Sequence, residues 1–243
     1  MKIIVLNTPE KLDMQAAWLL ADGVSSRHDA VIGLSTGRTT GSIHATFVRL
    51  ARESGLDCSG TTFFGVDEVA GVPREYAGAC YTMLKKELVD PLAIPEEHFL
   101  MLPVDSDDFE RDCTRFTREL ERRGGVDLLF LGLGENGHLG FNQPGSPFGA
   151  GARLSVMYPE LEERIRRETG TPDEEPLGGV TLGLKDIMHA RRLVLAAKGL
   201  SKAAIVKKMI EGPVTEDVPA SVLQLHPDCT VLLEREAASC LAL

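Results

Sequence analysis

The sequence predicts an α/β fold: a doubly wound, mostly parallel sheet with helices on both faces. Three observations predict it. Apolar runs of strand length recur along the 243 residues, at 2–6, 30–34, 62–66, 98–102, 127–133, 193–197 and 229–233. Segments with helical spacing separate most of them, and strands alternating with helices build βαβ units. Polar loops rich in glycine and hydroxyls follow several runs, where parallel sheets place their ligands.

The elements follow in order. Lys2-Ile3-Ile4-Val5-Leu6 turns polar at Asn7-Thr8, so it reads as a first strand, too short for a signal-peptide core. Thr8-Pro9 supplies an N-cap and first helical residue ahead of Leu12, Ala16, Leu19 and Leu20. Ile43, Phe47 and Leu50 share one face of a helix at 39–53. Met83, Leu84 and Leu88 predict a helix over 76–89, and Phe109, Cys113, Phe116 and Leu120 another over 107–122. The most polar stretch, 158–176, reads as an exposed helix and a loop, a candidate flap. Ser201 looks like the N-cap of a helix through Ala203, Ile205, Val206 and Met209. No internal repeat, low-complexity tract or Ser/Gly linker interrupts the chain. Residues 1–243 are therefore expected to form a single, Rossmann-like domain.

Composition narrows the function. The formal net charge is −10, which argues against a nucleic-acid partner, since phosphate backbones attract Lys/Arg stripes. No apolar run reaches the ~18 residues of a membrane span, so no membrane partner is expected. The five cysteines are scattered without a C-x-x-C pair. That argues against a disulfide framework and a zinc-finger site, and predicts reduced, buried cysteines in a cytoplasmic protein.

The chemistry concentrates after the strands. Ser35-Thr36-Gly37-Arg38-Thr39 opens a helix, and free N–H groups at a positive helix end make such a turn an anion site. It lacks the Gly-Lys-[Ser/Thr] of a Walker A loop. Lys202 falls in a first helical turn, where a cation opposes the helix dipole unless an anion binds there. Asp67-Glu68 directly follow a buried strand, which calls for a site role or a helix cap. Gly132-x-Gly134-x-x-Gly137 matches the dinucleotide fingerprint, but Phe141-Asn142-Gln143-Pro144-Gly145 follows where a helix must open. No NAD site, and no other cofactor or metal, is expected. The glycines instead let the backbone turn around His138, an acid/base candidate presented to a cleft.

These motifs resemble the glucosamine/galactosamine-6-phosphate deaminase-isomerase family, within the wider 6-phosphogluconolactonase-like group. The resemblance runs from Gly33-Leu34-Ser35-Thr36-Gly37 through Phe64-Gly65-Val66-Asp67-Glu68 and Gly132 to Gly145. It continues in Val180-Thr181-Leu182-Gly183-Leu184-Lys185-Asp186-Ile187 and in Pro219-Ala220-Ser221-Val222-Leu223-Gln224-Leu225-His226-Pro227. The Thr-Leu-Gly-Leu-Lys-Asp-Ile stretch and the Asn-Gly-His variant look closer to the galactosamine branch. The resemblance implies opening of an amino-sugar phosphate ring, isomerisation, and expulsion of ammonia to give a ketose phosphate. It implies Asp67 as the base moving a proton between C2 and C1, and His138 as the ring-opening histidine. It implies Thr36–Thr39 with Lys202 as the phosphate cradle, completed by Arg166 or Arg167. The implied partner is a small phosphorylated sugar, and a homo-oligomer stays open.

Two positions depart from the family pattern. An acid normally stands at Gln143, and the glucosamine branch places Asp at Asn136. A carboxamide orients a histidine but neither ionises nor relays a proton. Glu135 and Glu68 remain as carboxylates that could serve instead. Two alternatives follow: a 6-phosphogluconolactonase-type hydrolase, and a sugar-phosphate binder without turnover. A DNA-binding regulator would need a helix-turn-helix that residues 1–30 do not supply.

Overall fold

The computed structural model describes residues 1–73 and 75–242. Its strands run β1 (Lys2–Leu6), β2 (Val31–Leu34), β3 (Thr62–Gly65), β4 (Asp67–Ala70), β5 (Phe99–Leu100), β6 (Leu128–Gly132), β7 (Arg153–Ser155), β8 (Gly178–Thr181), β9 (Arg192–Ala197) and β10 (Cys229–Glu234). The helices are α1 (Pro9–Ser25), α2 (Arg38–Ser54), α3 (Cys80–Leu84), α4 (Asp90–Leu92), α5 (Phe109–Arg122), α6 (Pro159–Thr169), α7 (Leu184–Met188) and α8 (Ala203–Glu211).

The seven apolar runs all become strands of one parallel sheet, in the order β1-β10-β9-β6-β2-β3-β5. Successive side chains leave a strand on opposite faces, and both faces here are covered. Ile32, Phe63, Leu128 and Phe130 pack with Leu12, Leu20, Ile43 and Phe47 of α1 and α2. Val31, Phe64, Leu129 and Leu131 pack with Phe116, Ile187 and Val206 of α5, α7 and α8. Burial on both faces is why the central strands read as continuous apolar runs. From the β2–β6 boundary, β3 and β5 extend one way and β9 and β10 the other. Strand order reverses there, which in doubly wound sheets marks the ligand crevice.

Some boundaries differ from expectation. The run at 62–66 ends in β3 at Gly65, and Asp67-Glu68 begin β4 rather than a loop. Strand β4 joins β8 and β7 in a second, antiparallel sheet of three strands. The helix expected from 76 starts at Cys80, and a π turn over Lys85–Val89 carries it into α4. Ser201 does not cap α8. It lies in a 3-10 turn over Leu200–Lys202, and Lys202 holds the cap position. Thr8 does cap α1, its hydroxyl accepting from Lys11 N at 3.3 Å. Among the described residues no helix is long and apolar enough to cross a membrane.

Candidate active site

A cleft of about 1010 Å³ opens where the strand order reverses, at the carboxyl ends of the parallel strands. Ser35, Thr36, Arg38 and Thr39 line it from beyond β2, and Asp67 from beyond β3. Glu135, Asn136 and His138 reach it from beyond β6, and Lys202 from beyond β9. Four loops distant in sequence thus meet because parallel strands end on the same side.

The loop after β2 leads into α2 without a side-chain cap. Gly37 stands at the cap position of α2 with φ 139°, and no side chain caps the first turn. Ser35 Oγ is buried and finds no hydrogen-bond partner among the described residues. Buried hydroxyls are normally satisfied, which makes Ser35 Oγ an exception at the cleft wall. Lys202 is half-buried at the uncapped start of α8. Burial lowers its pKa, Glu135 raises it and Arg38 lowers it.

Asp67 sits where β3 ends and β4 begins. Its carboxyl is pushed up to about 7, first by burial and then by Glu68, against a bond from the Cys80 thiol. That thiol stands 3.8 Å from Asp67 Oδ1 and accepts from Thr36 Oγ1 at 3.2 Å. Gly140 keeps the other oxygen open: it has φ 56°, and an added Cβ would lie 3.5 Å from Asp67 Oδ2 and 2.6 Å from Thr181 Oγ1. Glu68 has a different task. It is buried and accepts from the N–H groups of Val69 at 2.8 Å, Cys80 at 2.8 Å and Tyr81 at 2.6 Å. Cap and site role, alternatives for the pair in sequence, are thus divided: Glu68 holds the start of α3 and Asp67 faces the cleft.

The segment after β6 opens no helix before β7, in keeping with rejection of the dinucleotide fingerprint. Gly134 lets the chain fold tightly against the imidazole, since a Cβ there would lie 2.2 Å from His138 Nδ1. His138 Nδ1 lies 2.7 Å from Asn136 Oδ1, and Asn136 Nδ2 donates to Gln143 Oε1 at 3.0 Å. An amide oxygen only accepts, so this contact puts the proton on Nδ1 and leaves Nε2 with a lone pair. Burial, with Lys202 adding to it and Glu135 opposing, lowers the His138 pKa to about 4.

Gly37, Glu68, Gln143 and Arg166, expected at the site, are not among the residues that line the cleft. Gln143 Oε1 accepts from Asn136 Nδ2. Glu68 is turned into the protein. Arg166 is bound to Glu162 at 2.7 Å and to the Pro172 carbonyl, and Arg167 is exposed. Neither arginine is brought to the cleft. Sequence reasoning missed Tyr158, whose ring centroid lies 6.0 Å from that of His138, and Cys80 between Thr36 and Asp67. Neither belongs to a recognisable motif; only the fold brings them there.

Fold and site define a doubly wound α/β protein whose cleft joins an anion loop to a carboxyl and a neutral histidine. A family model described as glucosamine-6-phosphate isomerases/6-phosphogluconolactonase matches residues 9–232. A glucosamine-6-phosphate deaminase from Corynebacterium kroppenstedtii is 36% identical over 241 residues, covering 99% of this chain and 93% of the relative. Another, from Bacillus pumilus, is 33% identical over 239 residues, covering 98% and 99%. A monomeric glucosamine-6-phosphate deaminase of known structure superposes with TM-score 0.91 at 32% identity, covering 99% of this chain and 100% of its own. A 6-phosphogluconolactonase from Trypanosoma cruzi, at TM-score 0.77 and 22% identity over 100% and 97% of the two chains, shares the fold. The chain belongs to the glucosamine-6-phosphate isomerase/6-phosphogluconolactonase family, as its motifs implied. The galactosamine branch is not resolved by these relatives, which carry glucosamine in their names.

Proposed function

We propose that this protein converts glucosamine 6-phosphate and water into a ketohexose 6-phosphate and ammonia. The observation that carries the reading is the convergence of Ser35–Thr39, Lys202, Asp67 and His138 on one cleft. The phosphate is held by the uncapped first turn of α2, the Ser35 hydroxyl and Lys202. Remote binding of this kind orients the reacting end of the sugar. Neutral His138 takes the O1 proton on Nε2 and delivers it to O5, which opens the ring. Ionised Asp67 removes the C2 proton and returns it to C1, while the substrate's own ammonium gives a proton to O1, so that C1 becomes a hydroxymethyl carbon and C2 an iminium carbon. Water adds at C2, the C–N bond breaks, and the nitrogen leaves with both water protons as ammonium while C2 keeps the oxygen as the ketone.

The relatives at 32–36% identity support glucosamine as the amino sugar. The motif resemblance makes galactosamine 6-phosphate the second substrate to assay. A second reading, a binder without turnover, is favoured by one observation: carboxamides at Asn136 and Gln143. Ammonia release from both amino-sugar phosphates tests the proposal, with 6-phosphogluconolactone hydrolysis run beside it. Release from neither epimer, with sugar-phosphate binding intact, makes the binder the better account. Lactone turnover alone makes it the hydrolase.

A further inference from the structure

Glu135 has no part in the proton steps above, yet it sits among the cations that face the cleft. Its Oε1 lies 3.8 Å from Arg38 Nη2 and 4.0 Å from Lys202 Nζ, and accepts from Ser201 Oγ at 3.3 Å. One carboxylate oxygen therefore accepts from a hydroxyl and stands within ion-pair range of two cations, the exposed Arg38 and the mostly buried Lys202. The Glu135 side chain is 60% exposed, whereas Lys202 is 15% exposed. A carboxylate that reaches from solvent to a mostly buried ammonium fills the place of an anion without being locked into the fold.

We propose that Glu135 is an internal competitor for the anion cradle, occupying it in the free protein and leaving when a phosphorylated ligand arrives. The inference rests on reading Ser35–Thr39 and Lys202 as that cradle. Displacing the carboxylate lowers the affinity for any lone anion. Inorganic phosphate, with nothing beyond its oxygens to offer, then leaves the cleft mostly empty. A sugar phosphate offsets the same loss through its hydroxyls, so the cleft fills only with the larger ligand. Exposed ion pairs are individually weak, so the carboxylate can yield to a dianion.

Calorimetric titration with inorganic phosphate tests this on the wild-type protein, Glu135→Gln and Glu135→Asp. Glu135→Gln is expected to tighten phosphate roughly threefold to tenfold, the worth of two surface pairs. Glu135→Asp keeps the charge but shortens the reach by about 1.5 Å, one C–C bond, and should tighten phosphate too. Lys202→Ala should weaken phosphate in the wild-type and Glu135→Gln backgrounds alike. If Glu135→Gln tightens while Glu135→Asp behaves as wild type, the effect is a distant field and the occupancy idea fails. Equal affinity in all three proteins also overturns it, leaving the cradle intact. Failure of all three to bind phosphate, or binding indifferent to Lys202→Ala, removes the cradle and the inference with it. Unchanged thermal unfolding midpoints confirm that the variants are folded.

Discussion

Replacing Asn136 by Asp puts a carboxylate oxygen where an amide oxygen now stands, 2.7 Å from His138 Nδ1. Burial and Lys202 hold His138 at about 4, so at pH 7 roughly one molecule in a thousand carries the imidazolium. An opposite charge at such range raises a pKa by about 1–3 units. The imidazolium fraction at pH 7 should then rise to between roughly one in a hundred and one in two. The new carboxylate loses the bond that Asn136 Nδ2 gives Gln143. Gln143 Nε2, buried and unpartnered among the described residues, can turn to donate in its place. The assay is an NMR titration of the His138 ring carbons between pH 3 and 8, which needs no turnover. A wild-type midpoint near 6.5, or one unmoved by Asn136→Asp, refutes the claim that burial and an amide partner keep this ring neutral. If ring opening limits turnover, kcat on the cyclic sugar should rise as well. General acid assistance is worth about 10²–10⁴-fold when fully realised, which sets the ceiling.

Lys202→Ala should raise KM for a phosphorylated sugar about tenfold to a hundredfold, the worth of a charge-assisted bond; an unchanged KM in a folded protein removes Lys202 from the phosphate site. Asp67→Asn should abolish exchange of the C2 proton with solvent while sugar-phosphate binding persists, as followed by NMR in deuterated buffer. Because Asp67 must be ionised to act and its pKa is raised to about 7, wild-type kcat/KM should fall as pH drops through that value. A flat profile down to pH 5 would assign the base elsewhere. Glu68→Ala leaves the N–H groups of Val69, Cys80 and Tyr81 without their acceptor and should cost about 1–3 kcal/mol in urea unfolding, more than a surface change.

The parallel sheet was legible because burial on both faces writes an unbroken apolar run, and all seven runs became its strands. The antiparallel sheet was not, because its strands carry no such signal. Arg153-Leu154-Ser155 and Gly178-Gly179-Val180-Thr181 pair antiparallel with each other, and the second also with β4, so their extension rests on contacts distant in sequence. A Cβ at Gly179 would lie 2.2 Å from the Phe141 ring, so the segment is glycine-rich for contact, not for strand preference. Among the candidate residues, Ser35, Thr36, Arg38, Thr39, Asp67, His138 and Lys202 line the cleft, and sequence could single them out because each follows a strand end. Glu68 could not be separated from Asp67 by sequence: neighbours on a strand point to opposite sides, and only the position of α3 decides which one meets backbone N–H groups. The partners of Arg166 were equally invisible, since the Glu162 contact at i−4 is a helix-surface pair that any exposed helix can form.

The two groups assigned to proton transfer have exchanged their usual order. A free histidine titrates near 6.5 and a free aspartate near 3.9. In this cleft His138 lies at about 4 and Asp67 at about 7. Burial drives both shifts, because it penalises whichever form is charged: the imidazolium in one case, the carboxylate in the other. The local charges add to the inversion, Lys202 acting against the imidazolium and Glu68 against the Asp67 carboxylate. At neutral pH the histidine is therefore a base without a stored proton, while Asp67 is divided between its two forms. A carboxyl near 7 accepts a proton from carbon more readily than one near 4, and at pH 7 it still offers a substantial ionised fraction. On the proposed mechanism His138 obtains from the sugar hydroxyl the proton it later gives to the ring oxygen, a cycle that needs no carboxylate behind the imidazole and so accommodates Asn136 and Gln143. An inactive protein with both pKa values inverted as described would place the missing step at ring opening, and open-chain substrate analogues would then exchange their C2 proton while the cyclic sugar did not.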